Sequence, residues 1–113
     1  VAIDGARVFT GMDAIEWARR AEGLGAGEIV VNSIDRDGTG RGYELDLTGQ
    51  IARAVTVPVI ASGGAGTAQH IMEGFDAGAS AAVFGFCWAT ATDASAAAIH
   101  MARNRDKRFW NMA

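Results

Sequence analysis

The 113-residue chain has the size of one small domain, and with half its residues hydrophobic and a fifth charged its composition excludes disorder. The net charge of −3 is unevenly spread: residues 1–102 carry 6 of the 10 basic and 12 of the 13 acidic side chains, and residues 103–113 form a basic tail. An acidic body argues against a nucleic-acid partner, and no apolar run approaches the ~18 residues of a membrane-spanning helix.

The chain opens on Val1-Ala2-Ile3, a short apolar run that reads as a strand. A natural chain seldom begins inside core structure, so a fragment or an excised piece is expected. A helix follows over about residues 13–22, with Thr10 or Asp13 as N-cap, Ile15, Ala18 and Ala21 on one face, and Gly23 and Gly25 as the stop. Trp17 on this helix is expected at an interface between helices or protomers. The second strand is Glu28-Ile29-Val30-Val31, followed by a helix over about 44–55 that turns Leu47, Ile51 and Val55 to one side. Pro58-Val59-Ile60-Ala61 is the third strand. The helix after it starts beyond Thr67, buries Ile71, Met72 and Phe75, and ends at Gly78. Ala81-Ala82-Val83-Phe84 is the fourth strand, and an alanine-rich helix is expected over about 92–105. The basic tail sits at the end of that helix, where Lys and Arg oppose the dipole.

The order is βαβαβαβα, an α/β class with parallel strands, right-handed crossovers and both faces of the sheet covered. At about 28 residues per unit the chain is a single domain of four βα units. It has the length of half a (βα)8 barrel, which takes about 250 residues. A small open doubly wound sheet is the alternative.

In parallel α/β folds, functional groups gather where strands end and helices begin. Those junctions here read Asp4-Gly5, then Asn32-Ser33-Ile34-Asp35-Arg36-Asp37-Gly38-Thr39-Gly40, then Ser62-Gly63-Gly64-Ala65-Gly66-Thr67, then Gly85-Phe86-Cys87-Trp88. The opposite junctions are plainer. Residues 62–67 have the character of a phosphate cradle, since glycines let backbone N–H groups approach an anion beside a helix N-terminus. Gly85 stands where the other half of such a site is built. Asp4 is either a general acid or base or a turn residue before Gly5. Asp35 and Arg36 fit a local ion-pair cluster or a mobile loop, and Asp37 is favoured for function. His70 and His100 fall inside expected helices with no partner at metal-ligand spacing, so no metal and no cofactor are expected. Cys87, the single cysteine, lacks an evident histidine partner and reads as packing. It cannot form an internal disulfide, which fits a reducing, cytoplasmic location. Trp88 and Trp110 are left open.

At these junctions the chain resembles a known family. Gly25-Ala26-Gly27-Glu28-Ile29-Val30-Val31-Asn32-Ser33-Ile34-Asp35-Arg36-Asp37-Gly38-Thr39 and Val57-Pro58-Val59-Ile60-Ala61-Ser62-Gly63-Gly64-Ala65-Gly66 resemble the cyclase subunits of imidazole glycerol phosphate synthase, in the C-terminal half of their barrel. Val1-Ala2-Ile3-Asp4 fits the fifth strand, and the likeness covers about residues 1–86. The resemblance implies a lyase of histidine biosynthesis that closes an imidazole ring with ammonia from a glutaminase partner. The substrate it implies is a phosphorylated ribonucleotide with a phosphate at each end. Asp4 would be one of two catalytic aspartates. Asp37, Gly38, Gly63, Gly64 and Gly85 would bind phosphate, Asn32 and Ser62 would line the pocket, and Glu28 would belong to the gate through which ammonia enters.

The departures carry expectations too. The other catalytic aspartate and the second phosphate site belong to the N-terminal half. Residues 5–10 make a shorter loop than the family's, Phe86 replaces a small hydroxyl residue, and Asn32 replaces the usual Thr, as in cyclase-like proteins that amidate sugars. From Cys87 onward the likeness fades. A lone half exposes strand edges, so pairing with an N-terminal half-barrel or homodimerisation is expected. The rival readings are a non-catalytic phosphate-binding module, the sugar-amidating relative, and the sister isomerase of the same pathway, which the motifs suit less well.

Overall fold

The computed structural model describes residues 1–84 together with the backbone of residues 99–102. Its first element is a hairpin in which β1 (Ala2–Ile3) and β2 (Val8–Phe9) pair antiparallel, with Ile3 opposite Val8. The Arg7 N–H donates to the Asp4 carbonyl across the turn, at 3.3 Å. Its central residues Gly5 and Ala6 have φ of 61° and 68°, the positive values that hairpin turns of matching twist require. This corrects the expected parallel first strand. Turned back within four residues, β1 takes its hydrogen bonds from β2 and forms a separate two-stranded sheet.

Helix α1 (Ala14–Gly23) begins where Asp13 caps it, its Oδ1 accepting from the N–H groups of Ile15 and Glu16 at 2.9 and 3.0 Å. Strand β3 (Ile29–Asn32) follows, then α2 (Leu45–Ala54), β4 (Val59–Ser62), α3 (Ala68–Asp76) and β5 (Ala81–Phe84). Thr67 caps α3 by accepting the His70 N–H at 3.3 Å. The strands β3, β4 and β5 are parallel and adjacent, with Ile29 to Asn32 in register with Val59 to Ser62. The βαβαβ core of the chain thus takes the expected form.

Residues 99–102, expected in a helix, form the strand β6 (Ile99–Ala102), antiparallel to β5 with Ala81 opposite Ala102. The outer edge of β5 presents unpaired N–H and C=O groups, and an edge strand that satisfies them overrides helix propensity. His100 accordingly lies in a strand. The rest of the expected fourth helix, Gly85, Phe86, Cys87, Trp88, Trp110 and the tail lie outside the described residues.

The core lies between the sheet and the helices in two clusters. One gathers Ala18, Val31, Ile51, Val55 and Val59, the other Tyr43, Ala61, Ala65, Ile71, Ala79 and Ala82. Met72, expected in the core, is 54% exposed. Val31 points into the core while its neighbour Val30 is 56% exposed on the opposite face. That face of β3 is uncovered, against the expectation of a sheet buried on both sides. Alternation is the result: a strand covered by helices on one face shows its other apolar residues to solvent.

Glu22 ties the last turn of α1 to the segment entering β4. Its Oε1 accepts from the Thr56 hydroxyl, from the Thr56 N–H at 2.8 Å and from the Val57 N–H at 3.2 Å. The Thr56 hydroxyl and then the Thr56 amide, against the opposing effect of desolvation and with a lesser contribution from the Val57 amide, hold its carboxyl below the usual value of 4.5. A carboxylate depressed on folding adds stability that is present above the unfolded value and disappears as the pH falls through the folded one. Urea midpoints of the wild type are therefore expected to fall as the pH drops below about 4.5. Glu22→Gln should show a smaller drop there, and equal slopes would count against the tie.

Candidate functional site

The C-terminal ends of β3 and β4 bring Asn32 and Ser62 side by side, in register. Beyond Asn32 the chain coils within residues 33–44. Buried Ser33 accepts the Arg36 N–H on its Oγ at 3.3 Å and the Asp37 N–H on its carbonyl at 2.9 Å. The Thr39 hydroxyl donates to the Arg36 carbonyl at 2.7 Å and accepts the Arg41 N–H at 3.2 Å. The Arg36 guanidinium pairs with Glu44 at 3.3 Å, not with Asp35 or Asp37. The local charge cluster expected at 35–37 is thus replaced by a brace to the start of α2. It leaves Asp37 and Gly38 exposed at the loop's tip.

This loop lies directly over the glycine-rich segment after β4. Gly42 donates its N–H to the Gly64 carbonyl at 2.7 Å. At Gly64, where φ is 102°, a Cβ would strike the Gly42 carbonyl oxygen and come within 2.9 Å of the Arg36 Cβ and carbonyl oxygen. Steric need therefore accounts for this glycine, independently of any anion. A Cβ at Gly63 would lie 2.8 Å from the Asn32 Oδ1, so Asn32 adjoins the glycine segment. The segment runs into the capped N-terminus of α3, where a helix's unpaired N–H groups and dipole favour negative charge.

Tyr43, which the sequence reading passes over, fixes the root of the upper loop. Its hydroxyl donates to the Val83 carbonyl at 2.7 Å, one strand further along the sheet, and its ring is buried against Gly74 and Ala61. Burial pushes its phenol up from the usual 10. The available signal was its position as the sole tyrosine between Gly42 and the second helix. Tyr43→Phe is expected to lower stability by about 1 kcal/mol, the net worth of one hydrogen bond with its acceptor left buried. Chemical denaturation checks this, and an unchanged midpoint would remove Tyr43 from the loop's supports.

Asp4 stands at the hairpin turn, exposed, with φ 53° and Arg7 at 3.8 Å. A cleft of about 1090 Å³ between the hairpin, α1, α2 and β3 is lined by Asp4, Asn32 and Asp37 among others. Three of the expected site residues thus share one cavity. Ser62, Gly63 and Gly64 adjoin it through Asn32 but do not line it. Glu28 is apart from all of these, exposed just before β3 at the opposite end of the strand. Gly85 lies outside the described residues. Among the described residues no group of three His, Cys, Asp or Glu side chains could hold a metal ion.

The model of the histidine biosynthesis protein family matches residues 1–90. The chain is similar to the imidazole glycerol phosphate synthase subunit HisF of Nitratidesulfovibrio vulgaris (strain DP4), 57% identical over 82 residues, which are 73% of this chain and 32% of that protein. It is 53% identical to the subunit of the same name in Bacillus cereus over 98 residues, covering 82% of this chain and 39% of the relative. In Clostridium botulinum the figure is 53% over 91 residues, 76% and 36%. The chain thus spans between 32% and 39% of the length of these curated relatives. Proteins of this family fold as TIM barrels, and the parallel sheet β3-β4-β5 with its helices is a part of one. The chain belongs to the histidine biosynthesis protein family.

Proposed function

We propose that the chain is the C-terminal half of a cyclase that closes the imidazole ring of imidazole glycerol phosphate, active when the other strands of the barrel are supplied. The observation that carries this reading is the shared cleft of Asp4, Asn32 and Asp37 beside the loop locked over the glycine segment. Asp4 acts as general acid or base on the ribonucleotide substrate. Asp37, Gly38, Gly63, Gly64 and Gly85 hold its phosphate through backbone N–H groups and the N-terminus of α3, and Asn32 and Ser62 line the pocket. Glu28, exposed at the far end of β3, suits the entrance for ammonia from a glutaminase partner.

The incomplete barrel needs a partner half. Support comes from the hairpin's exposed apolar residues, Phe9 at 79% among them, and from the outer edge of β3, which pairs with no described strand. The partner is an N-terminal half-barrel or a second copy of this chain. Sedimentation at micromolar concentration should show dimers when no other half is present, and monomers alone would exclude the second copy. No helix among the described residues is long and apolar enough to cross a membrane; the single cysteine, which fits a reducing compartment, supports a cytoplasmic location.

The test mixes the chain with a separately produced N-terminal half-barrel and supplies ammonia and the bis-phosphorylated substrate. Imidazole glycerol phosphate should form. Phosphate binding without turnover would favour a non-catalytic phosphate-binding module, a reading supported by the exposure of Asp4 on its short hairpin. Formation of an amidated sugar from ammonia and an unamidated sugar supplied in place of the ribonucleotide would favour the amidating relative, to which Asn32 points. Absence of both phosphate binding and turnover would overturn the proposal.

A further inference from the structure

One side chain outside the proposed chemistry holds the glycine segment at its exposed end. His70 lies in the first turn of α3, and its Nδ1 accepts the Gly66 N–H at 3.1 Å. Its own N–H donates to the capping Thr67 hydroxyl at 3.3 Å. The imidazole also lies under the upper loop, since a Cβ at Gly42 would stand 3.3 Å from its Cδ2. One ring therefore joins the helix, the glycine segment and the loop over it. With Nδ1 accepting, the neutral ring carries its proton on Nε2.

Residues 66–69 are exposed, whereas Gly63, Gly64 and Ala65 are buried beneath the upper loop. The solvent-exposed stretch of the segment, directly after the buried glycines, is thus the one that His70 pins. A backbone amide cradle binds well only when its N–H groups are already aimed. Among the described residues, the other feature that fixes Gly66 is its close approach to the Gly40 backbone.

We propose that His70 is a positioning residue for the anion cradle: by accepting the Gly66 N–H it fixes the turn that presents the α3 amides to a dianionic phosphate group. The proposal rests on the phosphate reading of residues 62–67. His70 touches no ligand and donates no proton in it. Its work is done by one acceptor atom, which distinguishes it from a residue that merely fills space.

The test compares the full chain with His70→Asn and His70→Leu, using inorganic sulfate as the probe because it stays dianionic throughout the neutral range. Asn carries an acceptor oxygen on its γ carbon, as His carries Nδ1, whereas Leu keeps bulk and loses the acceptor. Sulfate affinity should fall about tenfold in His70→Leu, the factor for one lost hydrogen bond of about 1.4 kcal/mol, and stay within about twofold of wild type in His70→Asn. Gly66 amide exchange reads the same bond without ligand, and protection should be lost with Leu and kept with Asn. Equal affinities in all three chains would overturn the proposal, as would an Asn variant as weak as the Leu one. If none of the three binds sulfate, the phosphate reading fails, and the proposal falls with it.

Discussion

Asp4→Asn is expected to lower turnover of the reconstituted barrel by about 10²- to 10⁴-fold, the range for removal of a general acid or base. Its effect on folding should be small, which makes the variant a clean test. Asp4 is exposed and its pairing with Arg7 at 3.8 Å is a surface contact, of a kind worth at most about 1 kcal/mol. Its φ of 53° lies in the left-handed region, which Asn tolerates as well as Asp. The amide also keeps the size of the side chain that lines the cleft. Steady-state rates with ammonia, together with urea midpoints, separate the two effects. Turnover that survives the substitution at an unchanged midpoint would remove Asp4 from the chemistry and leave it as a hairpin residue.

Gly64→Ala is expected to destabilise the chain by about 2–4 kcal/mol, because two separate costs meet at one position. A residue with a Cβ pays about 1–2 kcal/mol to hold a left-handed φ, here 102°. The added methyl also has no space, since the Gly42 carbonyl oxygen and the Arg36 backbone already occupy its site. The upper loop would have to lift, breaking the Gly42 N–H to Gly64 carbonyl bond of 2.7 Å. Gly38→Ala is the control. Its φ of 73° is equally left-handed, but nothing lies within 4 Å of the new methyl. That variant should lose about 1–2 kcal/mol and no more. Equal losses in the two variants would mean that loop packing adds nothing at Gly64. Phosphate binding should fall with Gly64→Ala in parallel, as the loop carrying Asp37 and Gly38 shifts.

Local patterns carried the sequence reading where the physics is local. Asp13 and Thr67 cap the helices that follow them because a short polar side chain before a helical run finds unpaired N–H groups in any context. Runs such as Val59-Ile60-Ala61 form central strands because both of their edges are taken by neighbouring strands, and the βαβ order makes those neighbours parallel.

Elements at the margins of the sheet were decided otherwise. Val1-Ala2-Ile3 is apolar enough for a parallel strand, yet three consecutive left-handed residues from Asp4 to Ala6 turn it into a hairpin. Residues 99–102 have the composition of a helix, yet pair with the open edge of β5. Neither outcome is visible in periodicity, because each depends on which hydrogen-bonding edge is vacant nearby. The same holds within the site. Arg36 reaches Glu44 instead of the adjacent aspartates, and Tyr43 reaches Val83, both through folding of the loop.

The sequence by itself determined the family and the βαβαβ core, since capping, strand runs and glycine-rich turns are short-range properties. Only the tertiary structure decided which of those residues meet. Loop 33–44 closes over the glycine segment because two backbones can approach so closely only where neither carries a Cβ, and that fit exists in three dimensions alone.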